Sequence, residues 1–210
     1  MEPTQMAYKG TTTIGVVCKD GVILASDTRV TMGYLVAHKK GKKIHKIDEH
    51  LAVTIAGGLA DAQRTVDILR ANASLYKLTT GREMPASAAA RLVANVLFST
   101  RYYPYLTRIL IGGKDTDGYH IYSLDPLGSV TKEDCVATGS GSPIAYGVLE
   151  DQYRKDKTVE ELLPVVVRAV DSAMKRDIAS GDSFDVAIIS EEGYRELTEE
   201  EKKKILDESR

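Results

Sequence analysis

GTTTIGVVCKDGVILASDTRV, residues 10–30, decides how the rest of the chain is read. Two runs rich in β-branched and apolar residues, TTTIGVVCK and VILASDTRV, flank Asp20-Gly21. That dipeptide suits a tight hairpin turn, so the stretch predicts two antiparallel strands. A turn there pairs Lys19 with Val22 and sets Thr11 opposite Val30. Asp27 then lies three residues, roughly 10 Å, along the strand from that point.

The pattern continues on the C-terminal side. YLVAHKK and KIHKIDE, around Gly41-Lys42, read as a second hairpin, and LAVTIAG (51–57) as an apolar strand ending in glycine. Then the period changes. Ala62, Val66, Leu69, Ala73 and Tyr76 step by three and four, which is one face of a helix. A second helix, rich in Ala and Leu, is predicted from 86 to 103, stopped by Pro104. RILIGG and YHIYSLD read as strands around Asp117-Gly118, and CVATGS as another. A helix follows Pro143, since proline suits a helix start. Thr158 and Glu161 form a capping box for the next helix. Its buried face is Val159, Leu163, Val166, Val170 and Ala173, with a kink expected at Pro164. DVAIIS and YRELT complete the strands, and Thr198 with Glu201 caps a short charged helix. Strand blocks alternate with helix pairs and no linker interrupts them. The reading is one α+β domain of two stacked sheets, covered by helices on both outer faces.

Composition narrows the function classes. The 210 residues are 43% apolar, enough for a sizeable core. A net charge of −2 and a pI near 6.1 argue against whole-chain nucleic-acid binding. No run approaches the roughly 18 apolar residues of a membrane span. Residues 1–10, MEPTQMAYKG, lack the apolar core of a secretory signal and read as a tail or a pro-segment. Cys18 and Cys135 sit in apolar runs and read as buried small hydrophobes, a usage that fits a reducing cytosol. His38, His45, His50 and His120 include no i, i+4 pair and read as surface or loop residues, so no metal is expected. TGSGSP (138–143) lies between a strand and a helix. It lacks the third glycine and the Lys-Ser/Thr pair that phosphate loops carry. KKGKKIHK (39–46) holds five lysines in eight residues and reads as a solvated tip in which one lysine could do more.

Nucleophiles are scarce. There is no G-x-S-x-G elbow. An internal threonine has no base beside its hydroxyl. An N-terminal threonine carries its own, because its α-amine, with a pKa of about 8, can accept the hydroxyl proton. That chemistry needs the preceding residue to be cut away. Gly10 suits such a cut, since glycine permits the tight geometry by which the Thr11 hydroxyl reaches the carbonyl just before it. On spacing alone, an ordinary threonine-rich strand start stays open beside this self-processing reading.

The remaining motifs carry a resemblance. KGTTTIGVVCKDGVILASDTRVTMG, GKKIHKID, TIAGGLADAQ, RYYPY, LIGGKD, YSLDPLG, VATGSGSPIAYGVLE and AMKRDIASGD follow in this order along nearly the whole chain. Together they resemble the β subunits of the archaeal proteasome core. The resemblance implies the four-layer αββα sandwich of N-terminal nucleophile hydrolases, two antiparallel sheets flanked by helix pairs. It implies that residues 1–10 are a propeptide removed by self-cleavage at Gly10-Thr11 and that 11–210 form one domain. Thr11 is then the nucleophile and its amine the base of a threonine endopeptidase. Asp27 holds Lys43, whose charge favours loss of nearby protons. Ser140, Asp177 and Ser180 orient the Thr amine and hydroxyl. Gly57 offers its N–H to the oxyanion. Val30, His45, Ile55 and Leu59 line the substrate pocket, which implies cleavage after large apolar residues.

The implied partners are a homo-heptameric β ring stacked on a second β ring and on α-subunit rings. An unfolding ATPase at the α rings and unfolded polypeptide substrates complete the system, in the cytoplasm and without a cofactor. Two departures stand out. Asp27 takes a place where archaeal relatives often have Glu, and GGLADAQ has Leu and Ala where they often have Val and Gly. A non-catalytic ring subunit and a small-amide amidase are the alternatives.

Overall fold

A computed structural model describes residues 10–33 and 35–208, apart from the side chain of Leu59. The opening stretch forms β1 (Thr12–Val17) and β2 (Gly21–Asp27), paired antiparallel with Thr13 opposite Ser26 and Val17 opposite Val22. The turn is not at Asp20-Gly21. The Cys18 N–H donates to the Gly21 carbonyl at 2.8 Å, so Lys19 and Asp20 form the tip. Gly21 instead joins the ladder, opposite Ser190. A Cβ there would lie 2.5 Å from the Ile189 carbonyl oxygen, so the glycine serves the close approach of the neighbouring strand. This moves every partner by two residues from the predicted pairing. Thr11 comes level with the end of β2, and Asp27 lies beside Thr12 rather than 10 Å away.

Two five-stranded antiparallel sheets follow. The first has the order β10 (Cys135–Gly139), β1, β2, β11 (Phe184–Ser190), β12 (Gly193–Glu196). The second runs β5 (Ile44–Asp48), β6 (Leu51–Gly57), β7 (Thr107–Asp115), β8 (Gly118–Leu124), β9 (Val130–Glu133). The predicted second hairpin does not form. Leu35–His38 is β4 and pairs with β3 (Val30–Met32) in a separate ribbon, whereas KIHKIDE supplies β5 and joins β6. The break falls at the lysine run, which leads from one sheet system to the other.

Helices α1 (Leu59–Thr80) and α2 (Ala86–Ser99) cover the second sheet. Helices α3 (Ser142–Gln152) and α4 (Val159–Arg176) cover the first. The charged α5 (Glu199–Glu208) packs beside α4. The result is the expected αββα layering. Helix α2 stops at Ser99 instead of 103, where its buried Ala/Leu face ends at Leu97, and Tyr102 and Tyr103 are exposed. The capping box of α4 forms as read, with Glu161 accepting the Thr158 N–H at 2.9 Å. That helix continues across Pro164, which costs it only a bond near its first turn.

Three apolar layers hold the stack. Val22, Leu24, Ile44, Leu110, Ile121 and Ile189 fill the space between the sheets. Ile14, Ile23, Val166, Val170 and Phe184 pack under α3 and α4, and Val53, Leu69, Val93, Leu97 and Ile109 under α1 and α2. Every residue of β1 and β2 is buried, because both faces of these strands meet a core. Among the described residues no helix is long and apolar enough to cross a membrane.

Candidate active site

Thr11 lies just before β1, where the ends of several elements meet. Thr12 pairs with Gly139, the last residue of β10, so Ser140 beyond it comes level with Thr11. The Thr11 N–H donates to Ser140 Oγ at 3.2 Å. Ser140 Oγ donates to Asp177 Oδ2 at 2.6 Å, and Ser180 Oγ donates to the same oxygen at 2.6 Å. Asp177 caps the C-terminus of α4, which brings the loop 177–181 against the start of β1. Ser180 does not meet Thr11. Its hydroxyl pairs with that of Thr12 at 2.8 Å, a contact that sequence reasoning missed.

Asp27 is fully buried at the end of β2. Its Oδ1 accepts the Thr12 N–H at 2.9 Å and the Lys43 ammonium at 2.7 Å. Its Oδ2 accepts the N–H groups of Arg29 at 3.0 Å and Gly181 at 3.1 Å. Lys43 is 7% exposed, so one member of the lysine run is buried to make this pair. Burial pushes the Asp27 carboxyl up and the Lys43 ammonium down, and their contact opposes both shifts. The ionised pair is the form that satisfies all four donors on the carboxylate.

The Thr11 hydroxyl donates to the Gly10 carbonyl oxygen at 2.7 Å, and the side chain is buried. Gly10 is clamped from the other side, its N–H donating to Thr31 Oγ at 3.1 Å. A Cβ on Gly10 would fall 1.7 Å from Ala179 Cβ, so only glycine fits there. Thr31 is a second residue the sequence did not single out. The alternation Arg29-Val30-Thr31 carried the only signal, since it turns Thr31 to the side opposite Val30.

A cavity of about 620 Å³ opens beside Thr11. Val30, His45, Ile55 and Gly57 line it, together with Lys43 and the unpredicted Ala62. The fourth predicted pocket residue, Leu59, has a side chain outside the described residues. Residues 1–9 also lie outside them. Burial, and then the nearby Arg70 and Lys42 charges, hold His45 below its ordinary value, which leaves it neutral at pH 7. Gly57 has φ +126°, and a Cβ there would lie 2.0 Å from the Leu106 carbonyl oxygen. Gly57→Ala is expected to cost at least about 2 kcal/mol, read as a lower thermal midpoint; an unchanged midpoint would refute this account of the glycine.

The cysteines are not competing nucleophiles. Both are free, and burial pushes each thiol up to about 12. The histidine reading needs correction: His50 is buried, and His45 and His120 are half-buried on β5 and β8, while His38 is exposed at the end of β4.

A family model described as proteasome subunit matches residues 7–189. The chain belongs to the proteasome subunit family. It is 52% identical over 204 residues to a proteasome subunit beta of Ferroglobus placidus, covering 97% of each chain. It is 50% identical over 200 residues to that of Methanothermobacter thermautotrophicus, covering 95% of each. It is also 50% identical over 198 residues to that of Methanosarcina barkeri, covering 94% of each. Such nearly end-to-end matches assign it to the β type among proteasome subunits.

Proposed function

We propose that the chain is a catalytic β subunit of a proteasome core particle, a threonine endopeptidase that frees its own nucleophile. The observation that carries this reading is the Thr11 hydroxyl on the Gly10 carbonyl at 2.7 Å. From there the hydroxyl oxygen attacks the Gly10 carbonyl carbon, and the acyl chain passes from the Thr11 nitrogen to its oxygen. Water then hydrolyses the ester, residues 1–10 leave, and 11–210 remain with a free α-amine.

In the freed site the amine accepts the hydroxyl proton as Thr11 attacks a substrate carbonyl. Ser140, which accepts the Thr11 N–H at 3.2 Å, holds that amine, and Asp177 orients Ser140. The Lys43 charge favours the alkoxide, and Asp27 keeps the ammonium in place. The Gly57 N–H receives the oxyanion, a donor worth about 3 kcal/mol. Ser180 acts through Thr12 and Asp177. No cofactor enters. Val30, Ile55 and Ala62 make the pocket wall apolar, which favours cleavage after large apolar residues with broad tolerance.

The same proposal includes heptameric β rings stacked on each other and on α-subunit rings, fed by an unfolding ATPase in the cytoplasm. The β3–β4 ribbon supports assembly, since Met32 and Leu35 stand 60% and 63% exposed. The first test is the intact mass of the chain before and after mixing with its α subunits. Loss of residues 1–10 on assembly is expected. An unchanged mass in the assembled particle would sink self-processing and leave a non-catalytic subunit.

His45 adds a pH dependence. Its folded-state pKa lies below the unfolded value, so as pH falls the unfolded chain takes up the proton first. Stability therefore drops as pH falls through the ordinary histidine range near 6.5. Replacing His45 with Gln is expected to flatten the midpoint–pH curve between about pH 5 and 7; a curve identical to wild type would contradict the assignment.

A further inference from the structure

At the end of β6 remote from Gly57, three donor groups from two segments converge. Asp48 ends β5, His50 precedes β6, and Glu83 stands in the loop between α1 and α2. Their ligand atoms all lie within 4.8 Å of one another. The His50 side chain is 10% exposed. Its Nε2 lies 2.8 Å from the Met84 carbonyl oxygen. A carbonyl only accepts, so Nε2 carries the proton and donates. In the neutral ring Nδ1 is then a bare lone pair. It is buried, has no hydrogen-bond partner, and faces Glu83 Oε2 at 3.5 Å and Asp48 Oδ2 at 4.0 Å.

Three electron-rich atoms pointed at one another repel unless a cation sits among them. We propose that Asp48, His50 and Glu83 form a site for a divalent transition-metal ion of the zinc type. Metal-bound histidines usually donate their other ring nitrogen to a carbonyl or carboxylate, as Nε2 does here. Zinc–nitrogen and zinc–oxygen bonds of 2.0–2.2 Å put neighbouring ligands of a tetrahedron about 3.4 Å apart. The Nδ1–Oε2 separation of 3.5 Å meets that edge already. The Asp48 oxygen, 4.0 Å from Nδ1, needs to close by about 0.6 Å, and solvent supplies the fourth position. An imidazole ligand disfavours calcium and magnesium, which prefer all-oxygen sets.

One protein cation competes. Lys77 Nζ lies 3.2 Å from Asp48 Oδ2 and 3.7 Å from Glu83 Oε1, but it is half exposed and free to swing away. Lys114 lines the adjoining cleft of about 220 Å³. A bound ion ties the α1–α2 loop to the β5–β6 turn. The gain is in stability, far from Thr11 along β6.

The test uses the full-length chain, stripped with a chelator and titrated with Co²⁺ and then Zn²⁺. Expected are one Co²⁺ per chain with a tetrahedral visible spectrum, displacement by Zn²⁺, and a higher thermal midpoint with metal. Glu83→Gln, at a half-exposed loop position, should weaken binding at least tenfold, and Lys77→Met should tighten it severalfold. A second acidic cluster, Asp115, Asp117 and His120, is the internal control. Binding that survives Glu83→Gln but disappears in His120→Ala overturns the proposal. So does the absence of saturable binding at micromolar metal, which would leave the Lys77 ammonium as the cation serving Asp48 and Glu83.

Discussion

Thr11→Ala is expected to abolish both self-cleavage and peptide hydrolysis. The assembled variant should keep the full precursor mass, with residues 1–10 attached. Turnover of an apolar-site peptide should fall on the order of 10⁴-fold or more, because removing a covalent nucleophile disables the whole unit that serves it. The fold should survive. Among the described residues the Thr11 hydroxyl bonds only to the Gly10 carbonyl, so its loss leaves no buried group of the Asp27 or Asp177 networks unpaired. Thr11→Ser keeps the hydroxyl and should still process. Cleavage at Gly10 in Thr11→Ala would show that another group does the cutting and would end the threonine mechanism.

Lys43→Ala should be the most destabilising change at the site. It strands a fully buried Asp27 carboxylate without its counter-charge. Removing one partner of a buried pair costs about 3–5 kcal/mol. For a domain of this size that is a fall of roughly 6–20 °C in thermal midpoint. Replacing both charges, as Asp27→Asn with Lys43→Met, should recover part of the stability, because no uncompensated charge stays buried and the amide oxygen can still accept from Thr12, although the amide NH2 cannot accept from Arg29 and Gly181 as Oδ2 does. Activity should not return, since no ammonium then favours the alkoxide. The two readouts separate a scaffold role from a catalytic one. A double variant as active as wild type would remove Lys43 from the mechanism, and a single variant as stable as wild type would refute the buried-pair energetics.

The element order was legible because its signals are local. The 3–4 steps of α1 from Ala62 to Tyr76 put Ala62, Val66, Leu69 and Ala73 in the core as read. The box of Thr158 and Glu161 marked the start of α4 because both partners lie within one turn. Misreadings arose where a local signal had two physical uses. Gly21 resembles a turn glycine, yet it serves the approach of β11, and that choice moved the register by two residues. Gly41-Lys42 resembles a hairpin tip, yet the runs on either side pair with other strands.

By itself the sequence determined the class of the fold and the residue types around Gly10 and Thr11. Periodicity, caps and ordered motifs are properties of neighbouring residues. Only the tertiary structure decided which groups touch. Asp27 meets Thr12 and Lys43, Ser180 reaches Thr12 rather than Thr11, and Thr31 holds Gly10. It also took His50 from an expected surface place into a buried cluster with Glu83, 33 residues away (83 − 50). The physical reason is the same in each case. Register and layer packing are set by cores on both faces of a sheet, and no single segment contains that information.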